Sequence, residues 1–158
     1  ELLRDYVVAR ARARDPRTVV DAYAGAGHTA LALSEAGVRV TAIELDADAS
    51  AWSASKLREP SRAIQARVED ALPGVLPADL VLLNPPRAGL DGRVTETLEK
   101  EAGHVRSVIY VSCNPATLAR DLSRLPSYAI ESVRAFDMFP QTAHVETVCE
   151  LTPAPHSA

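Results

Sequence analysis

Two stretches near the end of the chain decide the fold: Ala129-Ile-Glu-Ser-Val-Arg-Ala-Phe136 and, after eight residues, Val145-Glu-Thr-Val-Cys-Glu-Leu151. Both read as strands. The connection is too short for the crossover helix that a parallel pair requires, so the two pair antiparallel. Upstream the pattern differs. Short apolar runs at Val19 to Tyr23, Val38 to Ile43, Ala63 to Val68, Leu80 to Leu83 and Val108 to Val111 alternate with helical patterns. That alternation marks βαβ units and a parallel sheet buried on both faces. Helices are predicted over Leu2 to Arg14, closed by Pro16, over Ala47 to Leu57 after Asp46, and over Ala116 to Leu122 after Asn114-Pro115. The expected architecture is α/β and doubly wound, with five parallel strands followed by a hairpin whose last strand runs backwards beside the fifth. Pro153 to Ala158 reads as a frayed tail.

At 158 residues, with 47% hydrophobic and 24% charged residues, the chain has the balance of one globular domain with a single sizeable core. Disorder and a collagen-like fibre are excluded. The apolar runs are strand-sized, far below the roughly 20 residues of a membrane span, so no membrane partner is expected. Two cysteines, Cys113 and Cys149, make no disulfide framework, and with no leader pattern at the start a cytoplasmic location is expected. Seventeen basic against 21 acidic residues give a formal charge of -4, which lacks the basic footprint of a nucleic-acid binder. Arg10, Arg12, Arg14 and Arg17 read as a solvated helix face, with phosphate contact as the other reading.

The predicted strand ends carry the chemistry. Asp21-Ala-Tyr23-Ala-Gly25-Ala-Gly27 lies where the first strand turns into a helix, and small residues there let a backbone approach a nucleotide-like cofactor. The glycines alone do not separate S-adenosylmethionine from NAD. Asp21 ahead of them favours the former, because a carboxylate at a strand end can receive an ammonium. Glu44 ends the second strand, where an acid commonly accepts from ribose hydroxyls. Asp70 is a candidate for the adenine amine, with a helix-capping or solvated carboxylate as the other reading. Asp46 and Asp48 read as helix-start residues. Asn84-Pro85-Pro86-Arg87 leaves the fourth strand on the same carboxyl edge, where the prolines fix the backbone and present the Asn84 side chain or a carbonyl toward a flat substrate, with a rigid loop exit as the other reading.

Tyr110-Val-Ser-Cys113-Asn-Pro-Ala-Thr-Leu-Ala-Arg-Asp121 puts a thiol at a strand-to-helix turn, near helix-start N–H groups that favour a thiolate. Cys149, inside the final strand, reads instead as core filler. Phe139-Pro-Gln-Thr-Ala-His144-Val-Glu146 opens the final strand. Because that strand runs antiparallel, its start meets the end of the fifth, and Glu146 and Cys113 are expected to be neighbours. Period-two alternation points His144 the same way as Glu146, as a substrate contact or a surface histidine.

On these residues the sequence resembles the RNA 5-methyluridine methyltransferases, which act on transfer RNA and large-subunit ribosomal RNA. The resemblance runs from Val19 to Leu151, and the Ser-Cys-Asn-Pro-x-Thr-Leu-Ala-Arg-Asp and Phe-Pro-x-Thr-x-His-x-Glu runs carry it. It implies a Rossmann-like class I S-adenosylmethionine-dependent methyltransferase fold, with a mostly parallel seven-stranded sheet and an antiparallel terminal strand. Cys113 then corresponds to the nucleophile and Glu146 to the base. The resemblance places Asp21, Gly25, Gly27, Glu44 and Asp70 around the methyl donor; Tyr23 and Asn84 are further candidates there, His144 is a candidate substrate contact, and Arg87 is a candidate for the uracil oxygen or a phosphate, with a structural salt bridge as the other reading. Carbon 5 of uracil is a poor nucleophile until a thiolate adds at carbon 6, and a carboxylate is needed afterwards to remove the carbon 5 proton. Asn84 stands where the family usually has Asp. The family's RNA-binding barrel and iron–sulfur region are not matched, so a single catalytic domain without a cluster, dependent on a further RNA-binding domain, is expected.

Two rival readings use other residues. Asn84-Pro85-Pro86 resembles the Asn-Pro-Pro-aromatic motif of amino methyltransferases, but Arg87 replaces the aromatic and Cys113 and Glu146 are left without work. An NAD oxidoreductase needs neither the thiol nor the terminal hairpin. A third reading is a cofactor-binding fragment that is inactive by itself.

Overall fold

A computed structural model describes residues 2–137 and 145–155. Helix α1 (Leu2–Ala13) leads into β1 (Thr18–Ala22), and then come α2 (His28–Glu35), β2 (Arg39–Glu44), α3 (Ala47–Lys56) and β3 (Arg62–Gln65). A short helix α4 (Val68–Ala71) and a 3-10 turn precede β4 (Ala78–Leu83), α5 (Gly92–Lys100), β5 (Val105–Ser112) and α6 (Pro115–Leu122). The hairpin strands are β6 (Tyr128–Asp137) and β7 (Val145–Pro153).

The strands form one seven-stranded sheet in the order β3-β2-β1-β4-β5-β7-β6. β1 to β5 pair in parallel, while β7 runs antiparallel between β5 and β6. The short connection therefore did what its length required. From β1 the chain winds outward to β3, then returns to the other side of β1 and winds the opposite way. That reversal between β1 and β4 opens a crevice at their carboxyl ends.

Alternation along the strands divides the core in two. Val20, Val81, Leu83, Val108, Tyr110 and Cys149 face α5 and α6, packing with Val94, Leu98 and Leu118. Val19, Leu80, Leu82, Ile109, Val111 and Val148 face α1 and α2, packing with Val7, Ala11, Ala30 and Leu33. Cys149 is thus core filler, and burial pushes its thiol up to about 11. Asp21 and Asn84 continue the α1-facing rows of their strands, and Glu146 and Glu150 share that face with Val148.

Glu150 is the exception among these inward residues, a fully buried acid on the α1 side. Arg10 Nε donates to it at 2.7 Å, Arg14 Nη2 at 2.5 Å and Ser132 Oγ at 2.9 Å. Burial alone would push the carboxyl up, but these donors hold it down at about 2. Arg10 and Arg14 thus both engage Glu150, and the pair of ion pairs clamps α1 to the hairpin. Arg134 adds to the same seam, its guanidinium 4.9 Å from the Tyr6 ring centroid.

The third strand is shorter than the run Ala63 to Val68 predicts. It ends at Gln65, and Val68 instead opens α4 with its side chain buried. Glu69 and Asp70 suit a first helical turn, where acids complement exposed N–H groups. Among the described residues no helix is long and apolar enough to cross a membrane.

Candidate active site

The chain leaves β1 through Tyr23, whose φ of 62° is uncommon for a residue with a side chain, and continues through Gly25 and Gly27 at 55° and 73°. Gly27 is required for a second reason. A Cβ there would meet Ser53 Oγ of α3 at 2.2 Å, so α2 and α3 approach only because the side chain is missing. Glu44 fastens this loop from the neighbouring strand. Its Oε2 accepts from the Gly25 N–H at 2.7 Å and its Oε1 from the Asp46 N–H at 2.8 Å. Asp46 caps α3, accepting from the Ala49 N–H at 2.8 Å, which is the helix-start role its position suggested.

A cavity of ≈ 650 Å³ runs over the carboxyl ends of the strands, lined by Tyr23, Glu44, Leu45, Val68, Glu69, Asn84, Pro86 and Leu90 among others. A smaller one of ≈ 120 Å³ continues on the α1 side, lined by Asp21, Tyr23, Thr29, Asn84, Val111 and the α1 residues Leu3, Arg4 and Val7. Tyr23 and Asn84 line both, so they stand at the junction. A larger hollow of ≈ 870 Å³ opens among Arg17, Val38, Arg39 and Arg58 at the amino ends of the strands. It holds none of the predicted site residues and lies on the edge where doubly wound sheets do not bind their ligands.

Asp21 is 4% exposed, and its Oδ2 has no hydrogen-bond partner. Burial pushes the carboxyl up to about 7 against the pull of the Ala30 N–H, and the Glu44 charge adds to the push. The small cavity thus has an acid with one acceptor oxygen left open at its base. Asp70 sits differently. It is exposed on α4, paired with Arg93 Nη1 at 2.8 Å, and does not line the cavity, whereas Glu69 does. The early end of β3 is the reason, since one helical turn sends neighbouring side chains to different faces.

Cys113 follows β5 directly and is partly buried. Its turn is fixed on both sides: the Asn114 N–H donates to Ser112 Oγ at 3.1 Å, and Asn114 Oδ1 caps α6 from the Ala116 N–H at 3.0 Å. β5 and β7 remain in register to Ser112 opposite Thr147. Cys113 is the first residue past β5, and Glu146, the neighbour of Thr147 in β7, is paired to Phe136 of β6. Arg87 lies in the exposed loop after Asn84, its carbonyl 3.3 Å from Thr117 Oγ1. His144 lies outside the described residues. Among the described residues no group of three His, Cys, Asp or Glu side chains gathers to hold a metal ion.

Residues 66–153 match the family model described as tRNA (Uracil-5-)-methyltransferase. The chain belongs to that family. Among its relatives, an RNA methyltransferase of Gloeobacter violaceus is 42% identical over 157 residues, covering 96% of this chain and 34% of the relative. A 23S rRNA (uracil(747)-C(5))-methyltransferase of Vibrio vulnificus is 37% identical over 140 residues, 84% of this chain and 36% of the relative. The crystal structure of Pyrococcus abyssi tRNA (uracil-54, C5)-methyltransferase in complex with S-adenosyl-L-homocysteine superposes with a TM-score of 0.81 at 30% identity, over 95% of this chain and 38% of that one. The chain spans about a third of the length of the curated relatives it matches. Magnesium protoporphyrin IX methyltransferase from Synechocystis, at 15% identity and a TM-score of 0.72, shares the fold.

Several groups in this family member's site went unnoticed in the sequence. Leu45 and Glu69 line the main cavity, and Thr29 lines the smaller one. Leu45 follows an acid at a strand end and is 54% exposed, an apolar residue left uncovered beside a polar loop. Asp121 was visible only as part of a motif, yet it is fully buried with the Tyr110 hydroxyl 2.7 Å away.

Proposed function

We propose that the chain is the catalytic part of an enzyme that methylates carbon 5 of a uridine in ribosomal or transfer RNA, with S-adenosylmethionine as donor. The observation that supports this reading is the register of β5 on β7, which runs to Ser112 opposite Thr147 and so leads the chain toward Cys113 and Glu146 at the sheet edge where Asp21 and Asn84 line a cavity. The relatives agree, one named for uracil in 23S rRNA and one for uracil in tRNA.

The residues suit the donor. The unpartnered Asp21 Oδ2 offers an acceptor for its ammonium, and Glu44, held by two backbone N–H groups, offers one for the ribose hydroxyls. When bound, S-adenosylmethionine supplies an electrophilic methyl group. Cys113 Sγ forms a bond to carbon 6 of the uracil, which pushes electrons toward carbon 5 and makes it nucleophilic. After methylation Glu146 takes the carbon 5 proton, the electrons of that C–H bond re-form the ring double bond, and Sγ leaves. Arg87, in the same loop, carries the positive charge that this reading assigns to the developing uracil oxygen charge or to a phosphate.

The test is incubation of the complete gene product with donor and with tRNA or rRNA transcripts, followed by nucleoside analysis. 5-Methyluridine is expected, and the Cys113→Ala variant should form none. Product from that variant, or methylation on a base nitrogen, contradicts the proposal. A second reading is that the isolated chain holds the cofactor without acting on RNA, favoured by its formal charge of -4 and its span of about a third of its relatives. Calorimetry would then show cofactor binding with negligible RNA binding at physiological salt, and methylation by the isolated chain would reject it.

A further inference from the structure

The loop from Asn84 to Leu90 carries two of the candidate site residues but contains no regular structure. It is nevertheless held at three successive points by α6, the helix that begins just after Cys113. Thr117 Oγ1 shares its proton between the Asn114 carbonyl of its own turn at 3.0 Å and the Arg87 carbonyl at 3.3 Å, Arg120 Nη2 donates to the Ala88 carbonyl at 2.8 Å, and the Leu90 N–H donates to Asp121 Oδ2 at 2.8 Å. Asp121 is fully buried, and its other contacts tie it to the sheet and to its own helix. The Tyr110 hydroxyl donates to the same Oδ2, while Arg120 Nη2 donates to Oδ1 at 2.8 Å. Gly89 completes the fit. A Cβ there would fall 2.5 Å from Asp121 Oδ2 and 2.6 Å from Arg120 Nη2, and its φ of +81° is one that glycine adopts freely.

We infer that Thr117, Arg120 and Asp121 form a clamp that fixes the Asn84–Leu90 loop against the helix that follows Cys113, and that they are positioning residues for the uracil reaction. The inference deepens the function proposed above and rests on it. A buried carboxylate accepting a backbone N–H is an expensive way to hold an exposed loop, since its burial requires every one of its partners. Its place makes sense if the distance between loop and nucleophile matters. The clamp makes the loop and the Cys113 turn one rigid unit, so the two walls of the site cannot drift apart. Misplacement of reacting groups by about 1 Å can cost on the order of a hundredfold in rate.

The test compares the complete gene product with its Thr117→Val, Thr117→Ser and Asp121→Asn variants. The readout is the rate of covalent adduct formation with RNA containing 5-fluorouridine, alongside RNA affinity and thermal midpoint. Thr117→Val and Asp121→Asn should slow the adduct about ten- to a hundredfold with RNA affinity within about threefold. Thr117→Ser, which keeps the hydroxyl, should stay within about twofold of the unsubstituted rate. Amide exchange at Leu90 should quicken in Asp121→Asn while β5 stays protected. Unchanged adduct rates in all variants, with only the midpoint lowered, overturn the clamp and leave the proposed function standing. Absence of any adduct with the unsubstituted protein overturns the proposed function, and the clamp with it.

Discussion

Replacing Asp21 by Asn should make the protein more stable and its cofactor site worse. The carboxyl is buried with one oxygen unpartnered, and it titrates at about 7 rather than the ordinary 3.8. That elevation is on the order of 4 kcal/mol of destabilisation carried by the charged form above pH 7. The sign follows from the raised value: the folded state binds the proton more tightly than the unfolded one, so the penalty fades as pH falls from about 7 toward 4. An amide keeps the shape without the charge, but it carries its own desolvation cost. At pH 8 the Asp21→Asn variant should therefore gain roughly 1–3 kcal/mol, a rise of several degrees in midpoint. By pH 5 the gain should vanish. Cofactor binding should move the other way. If only the ionised carboxylate receives an ammonium, S-adenosylhomocysteine should bind about fivefold more weakly at pH 6 than at pH 7 and about fiftyfold more weakly at pH 5. In the variant that pH dependence should be lost and binding should be weak throughout. Calorimetry and thermal melts across this range check both arms. A variant that is less stable at pH 8, or one that binds with the same pH profile as the original, refutes the reasoning.

Glu150→Gln should lower stability by about 3 kcal/mol at neutral pH, because the buried acid is held at about 2 by Arg10, Arg14 and Ser132. The depressed value means that this contribution is full above about pH 4.5 and lost as pH falls toward 2, so melts of the two proteins should converge in acid. Gly27→Ala should cost about 1–3 kcal/mol and weaken cofactor binding, since the new Cβ meets Ser53 in a left-handed backbone, while Gly25→Ala, which meets nothing within 4 Å, should cost about 1 kcal/mol. Denaturant melts distinguish the pair. Glu146→Gln should leave methylated RNA attached to the protein, visible as a band that resists denaturing electrophoresis, and normal turnover would remove Glu146 from its role.

The carboxyl-edge groups were legible because strand order alone sets which loop ends where. Asp21, Glu44 and Asn84 lie at or beside strand ends, and the antiparallel return of β7 sets Thr147 opposite Ser112, one residue short of Glu146 and Cys113. What depended on exact element ends was not legible. β3 stops three residues before Val68, and that shift turns Asp70 out to Arg93 and Glu69 in to the cavity. Partners distant in the chain were also hidden: Arg10 and Arg14 show a helical spacing but nothing of Glu150, 140 and 136 residues away. A signal did exist. Glu150 occupies an inward position of the Val148 alternation, where a charge has to find a buried partner. Asp121 likewise shares the apolar face of α6 with Leu118.

The most direct test of the central claim is a mass spectrum of the complete gene product after incubation with donor and RNA containing 5-fluorouridine. Fluorine at carbon 5 leaves no proton for Glu146 to remove, so the account predicts a stable species with the mass of protein, RNA and one transferred methyl group, joined at Cys113. No such species, or one that survives Cys113→Ala, would contradict it.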